Sequence, residues 1–525
     1  MTPFKAPLDD ILYSLNAVAG AGDIAGYDPE LHAEIAQHFA AFAEGELAPL
    51  NAVGDRDGAQ LMNGRVRLPD GFRAAYAKYC DQGWPALCVP EGFGGQGMGN
   101  TALGITSEIF SGANHAFEMT TGLAAGAVRT LLAFGTGAQK AEMLPKLASG
   151  EWLSTMALTE PGAGSDLSRI KCRARQTASG WQIDGEKIFI SGGDQDVSEG
   201  ILHLVLARSG AEGLGGLSLF ICKSTRSDGA RNGVTVTRIE DKLGIHASPT
   251  CQLRFDAAEA ELLGGEGQGL GAMFTMMNHA RLSVALQGVA HASRATAIAR
   301  SYAQDRIQGK GTPIARHRDV ARMLDEMDLR AIGARGIAHL ALVTLENDDA
   351  PDLVEVLTPI AKYFCTEVAS QAADIGLQVL GGYGYLEEYG MAQILRDARI
   401  CRIYEGANGI HALSLATRLM RMEGPIKALD AFAGECPDVA SSHAAWRLVW
   451  QGLHRLDDAR PLADAFMSLT CELVHQIIWA RIARTADQHP DPARMRRLAA
   501  RAWPRFDVQL SHYNAEFAIY SQDRA

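Results

Sequence analysis

The chain has 525 residues, 47% of them apolar and 21% charged, and its 61 acidic against 49 basic residues leave a formal net charge of −12. This composition excludes a disordered or fibrous protein, and the length accommodates about three domains. The acidic balance disfavours nucleic acid and anionic membrane as partners, and no apolar stretch reaches membrane-spanning length.

Residues 28 to about 152 read as helical. Within Ala33–Phe42, Ile35, Phe39 and Phe42 fall on one face. The helical spacing continues through 102–111 and 120–134, punctuated by Gly135 and Gly150. Gly92-Phe93-Gly94-Gly95-Gln96-Gly97 satisfies G-x-G-x-x-G. The strand–helix–strand units of a dinucleotide fold are missing around it, so it reads as a turn between helices.

From Thr155 to Phe255 short β-rich runs replace the helices, at 181–183, 187–190, 202–206, 217–221, 234–236 and 253–255. Turn residues separate most of them, which predicts a small antiparallel barrel or sandwich. From Leu270 to Met422 the pattern is helical again. Thr358-Pro359 reads as a helix start and Gly381-Gly382 as its end. After Gly424-Pro425 comes a further, mostly helical segment. The order of helices, strands, helices and helical extension is not that of a doubly wound sheet.

Two segments carry candidate chemistry. In Ile403-Tyr404-Glu405-Gly406 a carboxylate sits among apolar neighbours on a glycine-bearing turn, just before the amphipathic run Ile410–Ala416. Desolvation raises a carboxylate's proton affinity and suits it to act as a base on a carbon acid, although most turn glutamates are solvated surface residues. In Leu158-Thr159-Glu160-Pro161-Gly162-Ala163-Gly164-Ser165-Asp166, small residues let the backbone approach a ligand, and Thr159 and Ser165 add hydroxyls. The plain alternative is an ordinary loop entering a strand. The nine cysteines include no C-x-x-C pair, and most lie in apolar runs. They read as reduced, buried thiols of a cytoplasmic protein, with no disulfide framework and no metal site. Met1–Asp10 lacks the basic and apolar regions of a secretory signal.

The 158–166 loop resembles the first signature of the acyl-CoA dehydrogenases, and the turn at Glu405 resembles their catalytic-base motif. Trp84–Gly95, Gly185–Gly192, Ala303–Gly309 and Gln378–Gly384 also resemble segments of that family, in its order, over roughly residues 30 to 420. Phe4–Asp10, Ser191–Asp196 and Gly244–Cys251 are similar to a bacterial branch that includes 3-methylmercaptopropionyl-CoA dehydrogenases and broad-range fatty acyl-CoA dehydrogenases, members of which carry a C-terminal extension.

The resemblance implies an α+β, mostly α fold. It would comprise an N-terminal α-helical domain (1–154), a central β-barrel (155–268), a C-terminal four-helix domain (269–422) and a helical extension (423–525), with FAD as cofactor. It further implies Glu405 as the base that abstracts the α-proton. Met156, Leu158, Thr159, Ser165, Phe189, Ser191, Ala407 and Gly409 are implied at the flavin. Arg306, Gln308, Gln378 and Gly382 are implied at the pyrophosphate and adenosine of a neighbouring subunit. Ser165, Asn278, Arg281 and Gly406 are implied at the acyl-CoA substrate. An electron-transfer flavoprotein as acceptor and a homodimer complete what the resemblance implies.

Departures from the family pattern are Ala407, where threonine is common and for which Asn408 is a possible substitute, Met156 in place of an aromatic residue, and Ala280, which empties an alternative base position. His246 reads as a structural histidine bonded to backbone. The rival readings are an acyl-carrier-protein thioester dehydrogenase, an oxidase, and a DNA-protecting flavoprotein of the same fold. The last would need a basic patch on the extension, where Arg494-Met495-Arg496-Arg497 reads as a solvated helix face.

Overall fold

The computed structural model describes residues 2–178, 180–309 and 311–522. Met1 and 523–525, at the outer ends of the first and last expected segments, lie outside the described residues. Helices α1 (Leu8–Tyr13) and α2 (Pro29–Phe42) open the chain, followed by α3 (Asn51–Asp57), the hairpin β1 (Gln60–Met62) and β2 (Arg65–Arg67), and α4 (Phe72–Asp81). Next come α5 (Asn100–Thr121), α6 (Leu123–Phe134) and α7 (Gly137–Ser149), then strands β3 (Trp152–Ala157), β4 (Arg173–Thr177), β5 (Gly180–Ser191), β6 (Gly200–Arg208), β7 (Leu217–Lys223), β8 (Val234–Ile239) and β9 (Thr250–Leu263). The 37-residue α8 (Gly269–Asp305) precedes the short pair β10 (Ile307–Gln308) and β11 (Thr312–Pro313). The chain ends in α9 (Arg318–Asn347), α10 (Pro351–Leu380), α11 (Met391–Arg399), α12 (Asn408–Leu413), α13 (Glu423–Gly434), α14 (Ala440–His454), α15 (Ala463–Thr485), α16 (Pro492–Ala502) and α17 (Pro504–Gln522).

These elements form two compact units. The first holds Met1–Ala41, Asn100–Gly112 and Arg281–Ala525, and the second Phe42–Gly99 and Ala113–Ala280. In the second unit, seven strands make one sheet in the order β3-β6-β4-β5-β9-β7, with β8 on β9 and a further β6–β7 pairing that closes the sheet on itself. The expected barrel is therefore present, but it is mixed: β3 runs parallel to β6. The runs at 181–183 and 187–190 are one strand, β5, interrupted by register shifts against β9. Every residue of β6 is buried, so the alternation that flags a strand is absent there. The hairpin β1–β2 is a further difference from the expected helices. Its Asn63 and Gly64 both have positive φ, the two-residue turn that matches strand twist.

In the first unit a continuous apolar core runs through α8, α9, α10 and the extension helices, with Trp446, Phe466 and Trp479 fully buried. Gly333 and Gly336 of α9 let α15 approach closely. A Cβ at Gly333 would stand 2.2 Å from the His475 ring, and one at Gly336 would stand 2.4 Å from Ile478. Helix α10 begins at Pro351, not at Thr358-Pro359, which lie inside it. Proline at the first helical position needs no amide partner, and the Thr358 hydroxyl donates to the Val354 carbonyl at 2.8 Å in the turn that Pro359 interrupts.

Candidate active site

The turn at Glu405 is built within the first unit. Helix α11 ends at Arg399, a single tight turn spans Ile400–Arg402, and α12 begins at Asn408. Between them Glu405 has φ +54° and Gly406 φ +95°. A non-glycine residue in the left-handed region costs about 1 kcal/mol, so neighbours must hold it there. The Glu405 carbonyl accepts from Arg281 Nε at 3.3 Å and from His411 Nε2 at 3.2 Å, and the Gly406 carbonyl accepts from Lys362 Nζ at 2.7 Å. A Cβ on Gly406 would meet the His411 ring at 2.9 Å. Burial and the neighbouring cations Arg281 and Lys362 push the His411 imidazolium down to about 3, so the ring is neutral.

The Glu405 carboxylate is strongly perturbed in the opposite sense. Its Oε2 is buried and has no hydrogen-bond partner. Burial pushes its pKa up to about 7, against the opposing pull of Arg281 and Lys362. A carboxylate so tuned exchanges its proton near neutral pH, as a general base must. Asn408 is buried and fully engaged: Oδ1 accepts from Lys362 at 2.9 Å, and Nδ2 donates to Thr366 Oγ1 at 3.0 Å and to Glu367 Oε1 at 2.8 Å. It therefore leaves no donor to make up for the hydroxyl missing at Ala407. Ala407 is half-buried and Gly409 exposed.

A second cluster of the first unit gathers Arg306, Gln308 and Gly382 around a cavity of about 420 Å³, together with Tyr302 and Tyr383. The β10–β11 pair presents Gln308, and Gly381, with φ +62°, ends α10 beside Gly382. Arg306 lies over the Tyr383 ring, 5.4 Å from its centroid, and Tyr383 packs on Tyr389 at 5.1 Å. Among the described residues no carboxylate is in ion-pair reach of Arg306. A cation beside aromatic faces suits an anionic group attached to a planar ring. Gln378 is exposed on the last turn of α10, outside the cavity lining.

The remaining predicted residues lie in the second unit. Met156 is half-buried near the end of β3, Leu158 is buried, Thr159 half-buried and Ser165 exposed. The Ile188 amide donates to the Thr159 carbonyl at 2.9 Å, which brings the loop against the stretch of β5 that carries Phe189 and Ser191. Phe189 has φ +58° and is 60% exposed, an apolar ring held outward by a bulge. Ser191 is half-buried, and Asn278 is exposed on α8. Two residues that sequence reasoning assigned no role organise this loop. The fully buried Lys187 donates to Glu160 Oε1 at 2.8 Å and to the Leu158 carbonyl at 2.9 Å, and Glu160 also accepts from the Lys171 amide at 2.7 Å and the Cys172 amide at 3.0 Å. Lys187 occupies an inward position of an alternating strand, which was the available signal.

His246 is held between the Asp55 carbonyl at 2.8 Å and the Lys242 carbonyl at 2.9 Å. In the basic cluster of the extension Arg496 and Arg497 lie on an exposed face, whereas Arg494 is largely covered. Arg494 pairs with Asp10 at 2.8 Å and with Asp328, Arg496 pairs with Asp487, and Arg497 with Asp325. Among the described residues no helix is long and apolar enough to cross a membrane.

Residues 29–151, 155–258 and 267–420 match, in turn, the acyl-CoA dehydrogenase N-terminal, middle and C-terminal domains. The chain is 40% identical to the 3-methylmercaptopropionyl-CoA dehydrogenase of Ruegeria pomeroyi over 452 residues, which is 80% of this chain and 77% of the relative. It is 32% identical over 490 residues to the broad-specificity linear acyl-CoA dehydrogenase FadE5 of Mycobacterium tuberculosis, covering 85% of this chain and 79% of that protein. The solved butyryl-CoA dehydrogenase of Megasphaera elsdenii superposes with a TM-score of 0.67 at 26% identity, over 75% of this chain and 98% of that one.

Proposed function

Because the chain belongs to the acyl-CoA dehydrogenase family, we propose that it oxidises an acyl-CoA thioester to the trans-2-enoyl-CoA, with Glu405 taking the α-proton. It is an enzyme of that FAD-dependent family, and the bound flavin supplies the acceptor for the β-hydride. The observation that carries the reading is the Glu405 carboxylate, whose Oε2 is buried without a hydrogen-bond partner and whose pKa is raised to about 7. The α-proton of a thioester is far too weakly acidic for a carboxylate in water. A dry carboxylate beside donors aimed at the developing enolate oxygen meets the requirement, and we assign one such donor to the Glu405 amide.

The residues present fit the cofactor. The outward Phe189 ring, with Met156, Thr159, Ser165 and Ser191, offers apolar surface and hydroxyls to the flavin, to which we also assign Leu158, Ala407 and Gly409. Arg306, Gln308, Gln378 and Gly382 are assigned to the pyrophosphate and adenosine of a neighbouring subunit, which makes the working unit a homo-oligomer, and the C-terminal extension favours a homodimer. Arg281, Asn278, Gly406 and Ser165 are assigned to the thioester and the CoA arm. Electrons then pass to an electron-transfer flavoprotein.

The test is an anaerobic titration of the purified yellow protein with straight-chain acyl-CoAs of several lengths and a sulfur-substituted propionyl-CoA, two substrate classes suggested by the relatives' names. Bleaching by at least one thioester is expected. No bleaching by any of them, or bleaching only by carrier-protein thioesters, overturns the reading, and peroxide formation without added acceptor would replace the electron-transfer flavoprotein with oxygen.

A further inference from the structure

Lys362 is 0% exposed on α10. Its ammonium donates to the Gly406 carbonyl at 2.7 Å and to Asn408 Oδ1 at 2.9 Å, and among the described residues no carboxylate lies within ion-pair distance of it. A buried cation without a salt-bridge partner is expensive, and a chain keeps one where the charge acts on something. Two acids feel that charge, Glu405 and Glu367, and Glu367 is already engaged by Arg402 at 2.7 Å and by Asn408 at 2.8 Å. Asn408 in turn is fixed by Thr366 and Glu367, one turn along the same helix. The ammonium is thus anchored on α10 and reaches across to the peptide that follows the carboxylate.

We propose that Lys362 is a positioning residue for the reaction: through the Gly406 carbonyl it locks the left-handed turn that aims Glu405, and its charge favours the ionised, proton-accepting carboxylate. This rests on the reading of Glu405 as the base. The charged and titratable groups facing Glu405 are Arg281 from α8, Lys362 from α10 and His411 from α12, which is neutral. Arg418 bears on Arg281, and Cys401 and Glu367 bear on Lys362. Burial lowers the Lys362 pKa to about 8, partly countered by Cys401 and Glu405, so the residue is charged through the neutral range in which Glu405 titrates.

The experiment compares wild type with Lys362→Met and Lys362→Arg, each FAD-loaded, by kcat, KM, pH profile and melting temperature, using an acyl-CoA that bleaches the wild type. Lys362→Met is expected to keep its FAD and hold KM within about threefold. Its kcat should fall by about tenfold or more, and the rising limb of its pH profile should move to higher pH, because losing a nearby positive charge makes the carboxylate a stronger base that ionises later. Lys362→Arg should restore the limb. An unmoved limb in Lys362→Met overturns the proposal. If Lys362→Met does not fold, Lys362→Gln carries the same test, and failure of both to fold with FAD assigns the residue to stability alone and overturns it as well. Glu405→Gln separates the two readings. If Glu405→Gln is inactive and Lys362→Met behaves as wild type, only the present proposal falls. If Glu405→Gln is fully active, the assignment of the base falls.

Discussion

Arg281 reaches Glu405 through the backbone. Its Nε donates to the Glu405 carbonyl at 3.3 Å, while Oε2 of the carboxylate is buried with no hydrogen-bond partner. The cation therefore braces the turn and attracts the ionised carboxylate. A hydrogen bond from a charged donor is worth about 1.5–3 kcal/mol, roughly a tenfold to hundredfold change in rate. Arg281→Ala should lower kcat/KM for an acyl-CoA by at least about tenfold, with Arg281→Lys intermediate. Steady-state kinetics check this, and unchanged efficiency removes Arg281 from the site.

The Glu405 proton equilibrium predicts opposite effects on rate and stability. The ionised form is the base, so kcat should rise with pH through about 7. Folding raises this pKa from the ordinary carboxylate value of about 4.3, so the folded state binds the proton more tightly than the unfolded chain. The resulting penalty on the fold is absent below about pH 4, grows as pH climbs, and is complete above the folded value. Glu405→Gln should retain FAD and lose at least about a hundredfold in kcat. It should also melt higher than wild type at pH 8 and level with it at pH 4, which differential scanning at the two pH values reads directly. A Glu405→Gln protein that turns over normally removes Glu405 as the base.

Breaking the Lys187–Glu160 pair should loosen the whole 158–165 loop. Both side chains are buried, and Lys187 also holds the Leu158 carbonyl at 2.9 Å. Removing one partner of a buried pair strands the other charge, at about 3–5 kcal/mol. Lys187→Met should lower the melting temperature and release FAD on gel filtration. Full flavin content and an unchanged melt would show that the loop is held by other contacts.

How far the sequence could be read depended on whether partners were close in the chain. The Glu405 turn was legible because an acid next to glycine, flanked by apolar residues, is a local pattern, and the 158–166 loop likewise. Lys362 was not: Thr358-Pro359 has the local pattern of a helix start but lies mid-helix, and the carbonyl the lysine serves lies 44 residues away. The strands of the β1–β2 hairpin are three residues long, too short for alternation to register, although Asn63-Gly64 was a sufficient turn signal. Arg494 read as surface because its partners, Asp10 and Asp328, are 484 and 166 residues distant.

That Arg494 junction predicts how the extension is held. Arg494 of α16 donates to Asp10 of α1 at 2.8 Å and to Asp328 of α9 at 2.8 Å, and Asp10 also accepts from His489 at 2.9 Å. Burial alone would raise the Asp10 carboxyl, but His489, Arg335 and Arg494 overcome it and hold it well below the usual carboxylate range. Glu108 is lowered in the same way, with Arg335 and His339 outweighing its burial. Carboxylates depressed on folding contribute stability that is complete above their unfolded pKa of about 4 and is lost as pH falls below it. Arg494→Met should therefore destabilise the fold at pH 7 and melt below wild type, by less than the about 3–5 kcal/mol of a fully stranded charge, because Asp10 keeps His489 and Arg335 and Asp328 keeps Arg300. The gap should shrink as pH falls below about 4, where the unfolded chain takes up a proton that the native Asp10 carboxylate does not. A gap that stays constant with pH would mean that Arg494 acts through packing of its stem and not through its charge.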